Sequence, residues 1–174
     1  MKINIIKKIK VYNQKSRDEY KDSMTDILSH EKLKRLDKYK QHYKCTRLKH
    51  SVDVSYYSFY IAKLLHLDYI SAAKAGLLHD LYFREESNLR EKIKMLHQHP
   101  KDALENALEI CELNEIERNA ILRHMWFVTV KPPKYKEGYI VSFVDKYCAS
   151  KEFFSSVFSK NFARKSHARM IRFY

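Results

Sequence analysis

Glycine and proline are scarce in this chain, with two and three among 174 residues. Tight turns are therefore few, and an all-helical protein is expected. Cysteine is equally sparse. Cys45, Cys111 and Cys148 are odd in number, far apart and without a Cys-x-x-Cys pair. That pattern excludes a disulfide framework and a zinc knuckle, and it fits a reducing cytoplasm. No apolar run approaches the roughly 20 residues that span a bilayer. Ile3, Ile5, Ile6 and Ile9 cluster near the start, but lysines interrupt them, so no signal-peptide core forms. There is no internal repeat, no low-complexity segment and nothing resembling an RNA-recognition signature.

Positive charge, by contrast, is abundant, with a formal net of +13. Residues 1–50 carry 15 Lys/Arg against 6 Asp/Glu, residues 51–150 carry 13 against 14, and residues 151–174 carry 6 against 1. A near-neutral centre thus lies between two basic flanks. Such flanks attract phosphate-bearing substrates, nucleic acid or anionic lipid; the alternative is a solvated surface. The length suits one domain with a full core. The expected division is a basic helical extension over 1–45 packed on the core, a central domain over 46–150, and a basic helix or tail over 151–174.

Periodicity fills in the elements. Ser16 to about Tyr43 reads as helical, with a break near Asp22-Ser23 or Ser29, while residues 1–15 are open to strand or core packing. His50, Val54, Tyr57, Ile61 and Leu64/Leu65 step by three or four, one face of a long helix. A break at Leu67-Asp68, capped by Asp68 or Ser71, precedes a helix over Ile70–Leu81. Tyr82 to Leu96 is charged and irregular, a loop with room for one helical turn, expected over the site. Pro100 then stands at the favoured first position of the next helix. Asn114 and Glu117 form a capping-box pattern. Val130 to Lys134 is an extended connector, and a helix from about Glu137 carries Val141, Val144, Asp145 and Cys148 on one face. The tail from Lys151 reads as a separate amphipathic helix with a basic end.

Within these helices the chemistry centres on His79-Asp80, at the end of an apolar run from Ala72. A buried carboxylate costs several kcal/mol unless a cation or strong donors meet it. Imidazole beside carboxylate is what a divalent metal takes. His50 lies upstream; His97, His99, His124 and Asp145 lie downstream, with His50, His124 and Asp145 falling on apolar faces. Arg47, one turn before His50, and Lys146, next to Asp145, are candidate phosphate contacts. Trp126-Phe127 and Tyr56-Tyr57 are candidates for stacking on a base or for the core.

The order His … His-Asp … His … His … Asp, from about Thr46 to Ser150, resembles the HD-domain metal-dependent phosphohydrolase superfamily. His99-Pro100 followed by Ala103-Leu104-Glu105-Asn106-Ala107, and Val144-Asp145-Lys146-Tyr147-Cys148-Ala149, resemble its small bacterial members. The resemblance implies an all-α HD-domain bundle with one metal on His50, His79, Asp80 and Asp145. It further implies that any second metal sits on His124 and His99, with Asp80 bridging and His97 as the alternative to His99. The implied ion is Fe, Mn, Mg, Ni, Co or Zn. The implied activity is hydrolysis of a nucleotide or other small phosphoester, with Asp80, Arg47 and Lys146 in the chemistry. Some relatives use the same ligands for diiron oxygen chemistry, so an oxygenase is the second reading. A basic RNA-binding module with a structural metal is the third. Leu81-Tyr82-Phe83 stands where the cyclic-dinucleotide enzymes of the superfamily carry Ile-Gly-Lys.

Overall fold

A computed structural model of the chain describes the backbone of residues 2–42, 45–84 and 89–170, and side chains over 14–41, 45–84 and 93–155. The described residues form seven α-helices and one small hairpin, an all-α architecture. In order these are α1 (Lys2–Ser29), α2 (Glu31–Lys34), a 3-10 turn (Arg35–Lys38), β1 (Lys40–His42) and β2 (Cys45–Thr46). Then follow α3 (Arg47–Leu64), α4 (Tyr69–Leu78), α5 (Leu89–Leu108), α6 (Glu115–Arg123) and α7 (Lys136–Met170). The two strands pair antiparallel, Lys40 opposite Thr46.

The short α4 is the hub. Ala72, Ala73, Ala75, Gly76, Leu77 and Leu78 are all buried, because α3, α6, α7 and α1 pack around it. A helix apolar on nearly every side is stable only inside. Tyr20, Met24, Ile27, Leu33 and Leu36 of the N-terminal segment join the same core. Tyr20 donates its hydroxyl to Ser55, and Ser55 donates to the Ala73 carbonyl. The helix starts follow sequence chemistry. Asp68 caps α4 through the Ser71 N–H, and Asn114 with Glu117 forms a complete capping box on α6.

Five expectations need correction. The helical reading of Ser16 to about Tyr43 fails at its end, where Lys40–His42 is a strand. Pro100 does not open a helix but lies inside α5. The helix starts at Leu89, so the expected loop ends well before Leu96; residues 85–88 fall outside the described set. The buried face of α3 is Arg47, Ser51, Val54, Ser55, Ser58 and Ala62, joined by His50 and Phe59, while Ile61, Leu64 and Leu65 are exposed. Ser55 faces α4 there, where the two helices approach closely. The C-terminal segment is no separate helix: α7 runs unbroken through position 150. Residues 2–15 are helical, and the side chains of the isoleucines lie outside the described residues.

The contact between α3 and α4 sets up a paired prediction. A Cβ built on Gly76 would stand 3.0 Å from the Ser55 Cα and 3.2 Å from the Val54 carbonyl oxygen. Gly76→Ala is therefore expected to cost about 1–3 kcal/mol, since neither helix backbone can yield cheaply. His66 is the opposite case. It closes α3 at φ 55°, with its N–H on the Lys63 carbonyl and that of Leu67 on Ala62, a helix end that favours glycine. His66→Gly should add about 1 kcal/mol. Urea denaturation of both variants checks the two signs.

Candidate metal centre

Three of the four inward histidines are fixed by their own helices. The Nδ1 of His79 bonds to the Gly76 carbonyl at 2.8 Å, that of His124 to Ile121 at 2.7 Å, and that of His99 to Met95 at 2.6 Å. These are carbonyls three or four residues back. His79 and His124 are themselves the C-caps of α4 and α6, so each ring takes up a carbonyl left without a helical donor. Two helix C-termini, the negative ends of their dipoles, thereby meet at one point. The fourth histidine, His50, places Nδ1 3.0 Å from Glu152 Oε1 and Nε2 3.1 Å from Asp145 Oδ1.

With Nδ1 committed as donor, each neutral ring presents Nε2 as a lone pair. Those lone pairs converge. His99 Nε2 and His124 Nε2 are 2.9 Å apart, and two acceptors at that distance repel unless a proton or cation lies against both. Asp80 Oδ1 is 3.4 Å from His99 Nε2 and 3.7 Å from His124 Nε2. Its Oδ2 is 3.6 Å from His79 Nε2, which also lies 3.7 Å from Asp145 Oδ1. Those distances exceed a hydrogen bond. His79 Nε2 is buried and has no hydrogen-bond partner among the described residues.

The electrostatics are those of a site built for positive charge. Burial opposes the charged form of Asp80, yet His79, His99 and His124 hold its carboxyl well below the usual range. Asp145 is likewise held low, against burial, by its contacts with His50 and His79. Burial and the neighbouring His79 and His99 push His124 down to about 3, so its ring is neutral. Burial works against protonated His50, but Asp145 and Glu152 overcome it and raise the ring to about 10. His79 is raised too, burial being outweighed by Asp80 and Asp145.

Two donor sets have atoms within 4.8 Å of one another: His50, His79 and Asp145, and His79, Asp80 and His124. The two sets hold five of the six expected ligands, and His99 lies against them at His124 and Asp80, whereas His97 is exposed and lines no part of the adjoining cleft. The orphaned His79 nitrogen and the facing Nε2 pair are the defects a divalent cation repairs, so these residues fit one. A cleft of about 450 Å³ opens beside them, lined among others by Lys40, Gln41, Arg47, Asp80, His99, His124 and Lys146.

Arg47 and Lys146 line this cleft but are already engaged. Arg47 is buried and donates to the carbonyls of Tyr82 and Arg84 and to Gln41. Lys146 Nζ donates to the His124 and Ser142 carbonyls. Lys40 is exposed and has no hydrogen-bond or ion-pair partner among the described residues. Of the aromatic candidates, Tyr56 packs against Tyr20 and Tyr57 against Tyr147, while Phe127 stacks on Trp126 and is exposed.

Sequence reasoning missed Gln41 and Glu152. Glu152 had a legible signal: it follows Asp145 by seven residues, two helical turns, and so shares its face. Gln41 had none, since a three-residue strand has no periodicity to read. No helix of the described residues is long and apolar enough to cross a membrane. No protein-family model, curated protein or solved structure matches this chain.

Proposed function

We propose that the chain is a divalent-metal-dependent phosphohydrolase acting on a nucleotide or other small phosphoester. His50, His79, Asp80, His99, His124 and Asp145 hold one or two ions. One observation carries the reading: imidazole nitrogens, their opposite nitrogens tied, converge on two carboxylates and leave the buried His79 Nε2 without a hydrogen-bond partner among the described residues. Mixed imidazole and carboxylate donors suit Mn, Fe, Co, Ni or Zn better than Mg, which prefers oxygen alone. The phosphoester assignment is supported by the ordered resemblance from His50 to Asp145 and by a cleft within the size range of small-molecule sites.

When bound, such an ion supplies a water of lowered pKa and polarises a phosphoryl oxygen. The chain's own residues do the rest. The tied Nδ1 atoms fix ring tautomer and direction, and burial of the histidines keeps bulk water away. Lys40 meets the substrate's negative charge at the cleft mouth. Lys146 adds positive potential there while staying bonded to backbone carbonyls.

Elemental analysis, joined to a screen of phosphorylated compounds with each metal and with chelator, tests this. The expected result is about one or two equivalents of metal and phosphate release that chelator abolishes. A folded, metal-free protein indifferent to chelators and added metals would sink it. Oxygen uptake by iron-loaded protein without phosphate release would establish the oxygenase instead. In the same assay Lys40→Met should raise KM several-fold at low salt and leave kcat near wild type, the difference fading as salt screens the charge. An unchanged KM removes Lys40 from the substrate.

A further inference from the structure

We propose that Gln41 is a positioning residue for Asp80, and that Arg47 acts through Gln41 rather than on a substrate anion. The inference rests on the metal reading above.

Gln41, on β1, donates from Nε2 to Asp80 Oδ2 at 2.7 Å. Its Oε1 accepts from Arg47 Nε at 3.1 Å. A guanidinium only donates, so the atom facing it must be the amide oxygen. The amide nitrogen then has one place to point, the Asp80 carboxylate. Arg47 itself is fixed. Its Nη1 donates to the Tyr82 carbonyl at 2.6 Å, its Nη2 to that of Arg84 at 3.4 Å, and its plane lies 3.7 Å over the Tyr82 ring. Tyr82 in turn donates its N–H to the Asp80 carbonyl.

Arg47 therefore holds the segment after Asp80 by its backbone, and through Gln41 it holds the carboxylate. With one lone pair of Oδ2 taken by Gln41, Oδ1 is turned to His99 and His124 and the free side of Oδ2 to His79. That orientation presents Asp80 to the ring nitrogens of three histidines at once. Groups of this kind set ligand direction and typically change metal affinity by about 10–100-fold. A residue that bound a substrate phosphate would leave metal affinity alone.

The experiment is Co²⁺ titration of the full chain without substrate, following the visible absorption of bound cobalt and its affinity against a competing chelator. Gln41→Leu removes both hydrogen bonds at similar size. Arg47→Lys keeps the charge and loses the fork. Each should weaken Co²⁺ by about tenfold or more and alter the cobalt spectrum, and the double variant should be no weaker than the worse single one. Melting of the metal-free proteins separates this from misfolding: variants that melt like metal-free wild type are folded. If Gln41→Leu proves unfolded, Arg47→Lys decides alone: wild-type affinity and spectrum overturn the proposal. Unaltered cobalt binding by Gln41→Leu, or additive losses in the double variant, would overturn it likewise. Wild type that takes up no cobalt fails the metal reading itself, an outcome separable from the others.

Discussion

Asp80→Asn is expected to lose its metal and to reduce phosphoester hydrolysis by about 10²-fold or more. Outer-sphere partners alone cost 10–100-fold, and Asp80 is, among the described residues, the one carboxylate within 4 Å of three of the histidines, His79, His99 and His124. The substitution keeps the shape and removes the charge. Its direction within the site is also set: Gln41 donates toward one side-chain atom, so the new amide offers its oxygen there and its nitrogen toward His99 and His124. That nitrogen would donate where two lone pairs now face each other. Melting of the metal-free variant beside metal-free wild type reports separately on the fold, so that loss of activity can be told from loss of structure. Wild-type metal content in Asp80→Asn, by elemental analysis, would take Asp80 out of the centre.

The second large effect separates the two halves of the site. The two donor sets share only His79. His124→Ala should then cost the ion on the Asp80 side and His50→Ala the ion on the Asp145 side; His79, its Nδ1 tied to the Gly76 carbonyl, has one lone pair, so His79→Ala should cost the one ion that Nε2 holds. His97→Ala should cost nothing, because that ring is exposed. Counting equivalents retained after gel filtration checks each case. Full metal content in His124→Ala would reduce the centre to a single ion. Retention in His79→Ala would contradict this ligand geometry altogether.

The helices were readable in proportion to how strongly their surroundings enforce a pattern. Asp68 and the Asn114–Glu117 box are local hydrogen-bond chemistry, legible from a few residues, and they occur as expected. The buried face of α3 was misread because periodicity follows large apolar residues. That face instead buries Ser51, Ser55 and Ser58, which carry no hydrophobic signal, Ser55 at the close approach to α4. Pro100 was misplaced because a helix held by tertiary contacts can tolerate the missing N–H. The cluster of six histidines and aspartates was visible as residue type and order, since ionisable groups on apolar faces are costly. The groups that aim them, Gln41 and Glu152, come from a short strand and from beyond the division drawn at 150, and only tertiary structure joins them to the site.

The donors lie between positions 50 and 145, on α3, α5 and α7 and at the ends of α4 and α6. An ion gripping either set closes long loops of the chain, and no unfolded form can present the same grip. By mass action, a free ion at a hundred times its dissociation constant adds about 2.7 kcal/mol to stability. Heat resistance therefore becomes a gauge of occupancy. Melting the protein in buffers that differ only in Mn, Fe, Co, Ni or Zn would rank the ions by affinity before any substrate is known.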